Sequence, residues 1–290
     1  MGVKFETALD PRRVNELTND LVIGFDIGSR TGKAVLLKDG LIYTVIAPTS
    51  VFMQQTVDKL LSLIEAESGV KLADIDFAIG TGYGRIAFDL KDTRKKIITE
   101  ITCHAMGAYY LNSDIQSIVD IGGQDAKAIR VDPRNGHVVD FIMNDKCAAG
   151  TGRFLEKVAE LLGLTTEDLG IEALKATGVS DISSQCVVFA ESEVISLSAK
   201  SEPPANIAAG IHLANARRVK NLFNRIGLAP EIMFSGGVAH NVGMKKAVEQ
   251  VLGQKFIDVN FDAIYTGALG AAILAQHTLT SSKLDMAINI

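Results

Sequence analysis

Two cysteines occur in short polar or glycine-rich segments that run directly into apolar, helix-like sequence. Cys147 lies in NDKCAAGTGRF (144–154), and Cys186 lies in SSQCVVFAES (183–192). A cysteine in such a place can be a small buried residue, a nucleophile or a metal ligand, and the last two roles require the thiolate. Because the chain has only three cysteines, a ligand role has to account for where the remaining ligands come from.

The third cysteine lies in a different setting. Cys103 belongs to ITEITCHAMGAYYL (98–111), an apolar segment that predicts a buried helix. A lone cysteine in an apolar segment is most often a small core residue. We therefore predict that Cys103 is part of the core, and that the neighbouring His104 is a core or helix-cap histidine rather than a ligand.

One segment of the chain recurs in outline. DIGSRTGKAVLLKDG (26–40) is matched by DIGGQDAKAIRVDPRNG (120–136). Both begin with Asp-Ile-Gly, and both have Lys-Ala seven residues after the aspartate, followed by a strand-like run and a turn. Lys33 and Lys127 therefore occupy matching positions. We interpret the match as an internal duplication, which predicts two similar lobes with a ligand clasped between them.

The repeated turns have the composition of a phosphate site. Each copy ends a strand in aspartate and continues with glycine, which leaves backbone N–H groups open to a ligand. Such a nest suits phosphate oxygens, and Asp26 and Asp120 can hold Mg²⁺ directly or through water. Taken singly, each copy is more simply explained as a turn, whereas the repeat favours the phosphate site. GSRTGKA is not a P-loop, because one residue is missing between the glycines and Ala34 replaces serine or threonine.

A third glycine turn lies in IMFSGGVAHNVG (232–243), between a strand-like run and the helical MKKAVEQVL. Gly236 and Gly237 would let the backbone lie against an adenosine, because neither has a side chain. Asn241 is a further candidate for a nucleotide contact in this turn. The plain alternative is a strand-to-helix turn without a ligand.

The elements that must position these turns follow from periodicity and turn residues. LVIGFDIGS (21–29) predicts a strand with several β-branched residues that leads into a glycine turn. Two more strands, joined at Lys-Asp-Gly, follow it. Apolar spacing predicts a helix over 53–68. The small-residue segment YTGALGAAILAQ (265–276) predicts a helix that packs closely on another helix. Residues 1–20 are polar and are predicted to form an appended arm.

Bulk properties narrow the class of protein. The chain has 290 residues, 47% of them apolar, which allows one large domain or two lobes with a sizeable core. A net charge of −5 and a pI near 5.6, without a basic stripe, argue against nucleic acid as a partner. No apolar run reaches the roughly 18 residues of a membrane span. Three cysteines do not suit a secreted disulfide framework, so we expect a cytoplasmic α/β protein.

Together the two hairpins, the third turn and the small-residue helix resemble the actin-like ATPase superfamily. More narrowly, DIGGQDAK, NDKCAAGTGRFLE, SSQCVVFAESEVIS and SGGVAHNVG resemble one family: the iron–sulfur ATPases that include 2-hydroxyacyl-CoA dehydratase activators and ATP-dependent benzoyl-CoA reductase nucleotide-binding subunits. The resemblance covers about residues 21–277. It implies a two-lobed actin-like (ribonuclease H-like, duplicated) α/β fold. Lobe I would comprise 21–110 and 264–290, and lobe II would comprise 111–263.

The resemblance also implies one [4Fe–4S] cluster shared by two chains, each of which supplies Cys147 and Cys186. The two chains would form a homodimer or a pair of similar subunits. Together they would supply the four thiolates that the cluster requires. The sequence places each cysteine at a predicted helix N-terminus, with Phe154, Val158 and Leu161 on the apolar face of the first helix. Helix N-termini lower the pKa of a thiol and stabilise an anionic cluster.

For ATP and Mg²⁺, the resemblance and the turn chemistry together give candidates at all three turns. The ATP-binding candidates are Asp26, Gly28, Ser29, Arg30, Thr31 and Lys33; Gly122, Gly123 and Lys127; and Gly236, Gly237 and Asn241. The catalytic candidates are Asp120, Gln124 and Asp125. Of these, Gln124 and Asp125 are expected to orient the attacking water.

The implied activity is ATP hydrolysis coupled to electron transfer, with a ferredoxin or flavodoxin as donor and a separate component that holds a CoA thioester. Dehydratase activators usually carry Gly-Ser-Thr at the first hairpin, whereas Arg30 interrupts that pattern here. Together with the amino-terminal arm, Arg30 favours a benzoyl-CoA reductase subunit over a free-standing dehydratase activator. Two other classes stay open: a sugar-type small-molecule kinase of the same superfamily, and an ATPase module without a redox role.

Overall fold

Each of the two sheets in the described part of the chain contains one of the two hairpins of similar sequence. The structure is a computed structural model that describes residues 2–84, 89–90, 93–144, 147–182 and 186–288. The strands of the first sheet are β1 (Val3–Lys4), β2 (Val22–Ile27), β3 (Thr31–Lys38), β4 (Leu41–Pro48), β5 (Phe77–Thr81) and β6 (Lys95–Ile97). Those of the second are β7 (Ser117–Ile121), β8 (Ala126–Val131), β9 (Val138–Asn144) and β10 (Ile232–Ser235). Their orders are β1-β4-β3-β2-β5-β6 and β10-β7-β8-β9.

Helices connect and cover these strands. In the described part of the chain they are α1 (Phe5–Ala8), α2 (Met53–Ser68), α3 (Glu100–Leu111), α4 (Gly152–Leu161), α5 (Thr166–Ala173), α6 (Val187–Ala199), α7 (Pro204–Ile226), α8 (Val242–Leu252) and α9 (Thr266–Ile288). None of these helices combines the length and the apolar character that a membrane crossing requires.

Strands β2, β3 and β4 form an antiparallel meander because their connecting turns are short. Asp39 and Gly40 join β3 to β4 with φ angles of 49° and 75°, as an Asp-Gly hairpin turn requires. Helix α2 covers the 53–68 segment that was predicted from its apolar spacing. Beyond it, β5 adds in parallel to β2, and β6 adds in parallel to β5.

The two hairpins place their aspartates and lysines in the same register. Asp26 of β2 lies opposite Lys33 of β3, and Asp120 of β7 lies opposite Lys127 of β8. In the second sheet β10 runs parallel to β7 and sets Ser235 beside Asp120. The matching positions in the sequence are therefore also matching positions in the two hairpins.

The chain divides into two compact units, each with an apolar core of its own. The first unit comprises 1–115, 131–138 and 258–290, and the second comprises 116–130 and 139–257. The core of the first is built from β2, β3 and α2 by Ile23, Phe25, Ile27, Leu36, Leu60 and Ile64. The core of the second includes Val119, Phe154, Val158, Ile211, Val219 and Phe234.

Helix α9 lies directly against the backbone of α3 and β2, because glycines remove the side chains at the crossings. A Cβ on Gly107 would lie 2.1 Å from the Thr266 carbonyl oxygen, and one on Gly270 would lie 1.8 Å from the Cys103 carbonyl oxygen. Gly24 makes the same kind of approach from β2. Distances this short exclude any side chain at these glycines. The predicted close packing of the small-residue helix is confirmed.

Residues 2–20, which were expected to form an appended arm, pack within the first unit. Strand β1 pairs with β4. Further along, the buried Asp10 carboxylate accepts hydrogen bonds from the N–H of Ser113 at 2.7 Å and from its Oγ at 2.8 Å. Arg12 bridges Asp10 and Asp114 with both of its terminal nitrogens. These contacts fasten the segment to the carboxyl end of α3.

Replacing Asp10 with asparagine is expected to destabilise the first unit by about 2 kcal/mol at neutral pH, the range for hydrogen bonds to charged groups. Burial raises the pKa of Asp10, but hydrogen bonds from Arg12 and Ser113 outweigh that effect and hold the pKa well below its ordinary value of 3.8. The stabilisation is therefore complete above about pH 4 and is lost as the pH falls further.

Urea denaturation of the wild-type and Asp10→Asn proteins at several pH values measures this effect. The difference in unfolding free energy should shrink once the pH falls below about 4. Asp114→Asn is the matched control, because that carboxylate is largely exposed and should contribute little. A pH-independent difference for Asp10→Asn would contradict the charged role.

Candidate functional site

A buried lysine holds two carboxylates at the second hairpin. Lys127 is 1% exposed, and its Nζ lies 2.9 Å from Asp120 Oδ2 and 2.8 Å from Asp125 Oδ2. The Oγ of Ser235 donates to Asp120 Oδ1 at 2.9 Å. Both carboxylate oxygens of Asp120 therefore have protein partners, and Asp125 is fixed beside it. The third catalytic candidate, Gln124, is exposed in the same turn.

The first hairpin uses the matching positions differently. Asp26 is 5% exposed, and its Oδ1 has no hydrogen-bond partner among the described residues. Lys33 lies opposite in the register, but its Nζ donates to the Thr31 carbonyl oxygen at 3.4 Å rather than to Asp26. A buried carboxylate oxygen without a partner is costly. A hydrated cation would remove that cost, so the donor chemistry of Asp26 fits Mg²⁺.

Both turns are closed by the same backbone hydrogen bond. The N–H of Gly28 donates to the Thr31 carbonyl oxygen at 3.1 Å, and that of Gly122 donates to the Asp125 carbonyl oxygen at 2.9 Å. These two N–H groups are used within the turns and are not available to a phosphate. The remaining turn candidates are partly or fully accessible: Ser29, Arg30, Thr31 and Gly123.

The turn after β10 brings backbone against the Asp120 carboxylate. Gly236 has a φ of +89°, and a Cβ there would lie 2.6 Å from Asp120 Oδ1 and 2.5 Å from the Ile121 carbonyl oxygen. Only glycine fits that position. Gly237 has open space where a side chain would lie, so a ligand can approach its backbone from that side.

The side chain of Asn241 joins three helices. Its Oδ1 accepts the N–H of Met244 at 2.8 Å and thereby caps α8, and its Nδ2 donates to the Thr166 carbonyl oxygen of α5 at 2.7 Å. His212 of α7 places Nε2 3.0 Å from the same Oδ1, and burial lowers the pKa of this histidine. His212 gives no signal in the sequence. A nucleotide contact by Asn241 stays a prediction.

Cys147 does not lie at a helix N-terminus, which corrects the sequence prediction. Helix α4 begins at Gly152 with Thr151 as its N-cap, and Gly150 has a φ of +88°. The helix cannot extend back through a left-handed glycine and an extended threonine. Cys147 therefore lies in a turn that precedes α4. Its motif neighbours 145–146 lie outside the described residues.

Two asparagines, neither of them singled out in the sequence, shape the Cys147 turn. The Nδ2 of Asn144 donates to the carbonyl oxygens of Cys147 at 3.1 Å and Ala149 at 2.9 Å. Asn215 of α7 is 1% exposed, and its Oδ1 accepts the N–H of Gly150 at 3.0 Å. The Nδ2 of Asn215 has no hydrogen-bond partner within the described residues. The turn is thus held from both sides.

The Cys147 turn is also bonded to the second hairpin. The N–H of Gly152 donates to the Gly122 carbonyl oxygen, and that of Arg153 donates to the Gly123 carbonyl oxygen, both at 2.9 Å. The first turn of α4 is therefore anchored on the glycine turn that follows Asp120. A displacement of the glycine turn must move the start of α4.

Cys186 is the N-cap of α6, as predicted. Its carbonyl oxygen accepts the N–H of Ala190 at 2.9 Å, and the residue is exposed. Next to it Val188 and Phe189 are each 65% exposed. Exposed apolar residues of this size beside one another mark a surface suited to contact with another molecule. Motif residues 183–185 lie outside the described residues.

Cys103 is a core residue, as predicted. It is fully buried, and burial raises the pKa of its thiol to about 12 despite a hydrogen bond with Thr81. The thiol stays protonated at neutral pH and is a poor ligand. The neighbouring His104 is 2% exposed, with Nε2 3.9 Å from Glu100 Oε1.

Comparison with known proteins gives the relatives of this chain. A family model described as the BadF/BadG/BcrA/BcrD ATPase family matches residues 23–275. The activator of lactoyl-CoA dehydratase from Anaerotignum propionicum is 45% identical over 258 residues, 87% of this chain and 96% of that protein. A benzoyl-CoA reductase subunit from Thauera aromatica is 32% identical over 265 residues, 87% and 92% of the two chains.

A solved structure extends the similarity to the fold. The activator of 2-hydroxyisocaproyl-CoA dehydratase from Clostridium difficile, with bound ADPNP, matches with a TM-score of 0.82 and 37% identity. The match covers 91% of this chain and 97% of that one. The neighbours have the actin-like ATPase fold, so the fold class predicted from the motifs is confirmed.

Removing the lysine of the second hairpin is expected to cost far more stability than removing its counterpart in the first. Lys127→Met leaves Asp120 and Asp125 without their amine, and breaking a buried pair costs about 3–5 kcal/mol. Lys33→Met removes one bond to a carbonyl oxygen and should cost about 1 kcal/mol. Urea denaturation of both variants measures the difference. Equal losses of unfolding free energy would show that the two lysines contribute equally to stability.

Proposed function

The chain belongs to the BadF/BadG/BcrA/BcrD ATPase family, and we propose that it is the ATP-hydrolysing electron-transfer component for an enzyme that acts on a CoA thioester. Relatives carry the names of activators or subunits of such enzymes. In this proposal the protein works in the cytoplasm and receives electrons from a ferredoxin or flavodoxin. It binds ATP, Mg²⁺ and a [4Fe–4S] cluster, while the thioester stays on the partner enzyme.

Within the family we favour a 2-hydroxyacyl-CoA dehydratase activator over a benzoyl-CoA reductase component. Identity is 45% to the lactoyl-CoA dehydratase activator and 32% to the Thauera aromatica reductase chain, which reverses the preference drawn from Arg30 and the amino-terminal segment. Arg30 is exposed, and its carbonyl oxygen accepts the N–H of Thr49 at 2.9 Å, a bond that any residue can make.

Of the proposed activities, ATP hydrolysis is the one in which this chain's own residues can be assigned roles. We assign the cation to Asp26, because its buried Oδ1 has no partner in the described part of the chain. Asp120 and Asp125 are both held by Lys127 and can orient a water molecule for attack, with the exposed Gln124 in the same turn. Fixed acceptors of this kind position the nucleophile in phosphoryl transfer.

One observation carries the redox half of the proposal. Backbone hydrogen bonds join Gly152 and Arg153 to Gly122 and Gly123, and Cys147 precedes Gly152 by five residues. A phosphate that shifts the glycine turn would move the loop that carries Cys147, because packed elements respond to such shifts as units. This connection supports a coupling between hydrolysis and a group held by the cysteine.

Cys147 and Cys186 are the proposed ligands of the cluster. The donor set fits, because both side chains lie outside the core, whereas Cys103 is buried. A cluster with four thiolates needs two more, which a second copy of the chain would supply across a twofold axis. When bound, the cluster accepts and releases one electron at a time. Val188 and Phe189, exposed beside Cys186, are the apolar surface that the second copy would cover.

The cluster is tested by iron and sulfide analysis of protein purified without oxygen. We expect about four irons per dimer, lost in Cys147→Ser and in Cys186→Ser. Cys103→Ser is the control and should keep its iron, since Cys103 is buried with a raised thiol pKa. The ATPase rate is measured on the same samples. An iron-free wild-type protein with full ATPase activity would refute the redox half and leave the ATPase half standing.

The shared site also predicts the effect of a charge on α6. Val188→Asp should raise the dissociation constant of the dimer by about 100-fold or more, because an unpaired carboxylate would be buried. Val179→Asp is the matched control: Val179 belongs to the same unit and is 58% exposed against 65% for Val188. Sedimentation analysis distinguishes monomer from dimer. Unchanged dimers of the Val188→Asp protein would place α6 outside the interface.

A further inference from the structure

A histidine and the proposed cation ligand face the same glycine of α9. A Cβ on Gly267 would lie 2.8 Å from His104 Nε2 and 3.0 Å from Asp26 Oδ2. All three residues belong to the first unit. Because position 267 has no side chain, the imidazole and the carboxylate come close enough for a single water molecule to bridge them.

Packing fixes the orientation of His104. The residue is 2% exposed on α3, a helix whose contact with α9 leaves no room for a Cβ at Gly107 or Gly270. One helical turn earlier, Glu100 places Oε1 3.9 Å from His104 Nε2. The Nε2 atom is thus directed toward polar groups, among them the carboxylates of Asp26 and Glu100, rather than into the apolar core.

The two oxygens of Asp26 have different surroundings. Its Oδ1 lies by Gly82, which has a φ of +85° and where a Cβ would come within 2.5 Å of that oxygen. This is the atom without a partner in the described residues, whereas Oδ2 points to the side of His104. A carboxylate whose one oxygen is fixed presents the other to a cation in a defined direction.

We infer that His104 is a positioning residue of the first hairpin: its Nε2 orients the Asp26 carboxylate, and the water bound to it, for Mg²⁺. In the second hairpin Lys127 and Ser235 fix the matching aspartate, and Lys33 does not do so in the first. His104 takes that place. The inference rests on the proposed ATPase function, and it adds a residue that the turn motifs do not contain.

Orientation of this kind should affect turnover more than nucleotide binding. Mg²⁺ keeps several waters and demands near-octahedral geometry, so a misdirected carboxylate weakens the cation site. We expect a substitution at His104 to leave the backbone of the glycine turns, which would contact the nucleotide, in place. The KM for ATP should therefore change little, while kcat and the Mg²⁺ requirement change together.

The test compares His104→Ala and His104→Gln with Cys103→Ala in the full-length protein. His104→Ala should lower kcat for ATP hydrolysis by about 10–100-fold, change the KM for ATP by less than about threefold, and raise the Mg²⁺ concentration that gives half-maximal activity. His104→Gln should recover part of the loss, because its amide nitrogen can replace Nε2 as a donor. Cys103→Ala, the neighbouring buried substitution on α3, reports the cost of disturbing the packing alone.

Two readouts separate a positioning role from a structural one. Calorimetric titration with ADP at varied Mg²⁺ should show weaker Mg²⁺-dependent binding in His104→Ala and an unchanged affinity for ADP without Mg²⁺. Thermal unfolding controls for stability. A His104→Ala protein with wild-type kcat and Mg²⁺ dependence would overturn the inference, as would losses that match those of Cys103→Ala. If the wild-type protein itself fails to hydrolyse ATP, the proposed function is what has failed.

Discussion

Each hairpin buries a carboxylate at the end of its first strand, and the rest of the structure depends on how that buried charge is stabilised. Asp120 is 1% exposed and Asp26 is 5% exposed, and an isolated charge at such depth is strongly unfavourable. The charge of Asp120 is stabilised within the protein, because Lys127 and Ser235 donate hydrogen bonds to its two carboxylate oxygens. Lys33 lies opposite Asp26 in the strand register, but its amine donates to the Thr31 carbonyl oxygen instead. The two hairpins therefore share a strand register but not the partners of their aspartates: Asp120 is satisfied within the protein, whereas for Asp26 we propose an external cation.

Glycines turn helix packing into a means of placing chemical groups. At Gly107 and Gly270 the missing side chains let α3 and α9 touch through their backbones, and this contact sets the height of α3 along α9. Gly267 belongs to the same series, but the atoms it faces are polar: His104 Nε2 and Asp26 Oδ2. The small-residue helix that closes the core thus also leaves room at Gly267 for His104 beside Asp26 of the first hairpin.

Local patterns predicted the elements well, and non-local bonds limited the prediction of the site. The helix over 53–68 and the paired hairpins depend on spacing within a short segment, so the sequence is sufficient for them. The helix start at Cys147 was wrong because Gly150 adopts a left-handed conformation that its position in a glycine-rich run does not reveal. Asn215 could not be foreseen either, since it is 65 residues from the Gly150 N–H that it binds. A hydrogen bond from a single side chain to a distant backbone group produces no periodic pattern in the sequence, so it cannot be predicted from one.

The two proposed thiolate ligands are held in different ways, and the difference has a mechanical consequence. Cys186 is the N-cap of α6, so its position is set by the start of a helix. Cys147 lies in a turn that is held by asparagine side chains and is tied through Gly152 to the carbonyl oxygen of Gly122. In the proposed function, a nucleotide-dependent shift of the glycine turn would act on the Cys147 turn through these bonds and on Cys186 only through helix packing. The two ligands of one chain would then move relative to each other. Because hydrogen bonds and solvent exposure at the sulfurs set the potential of a cluster, such a relative movement is a physical route from hydrolysis to electron transfer.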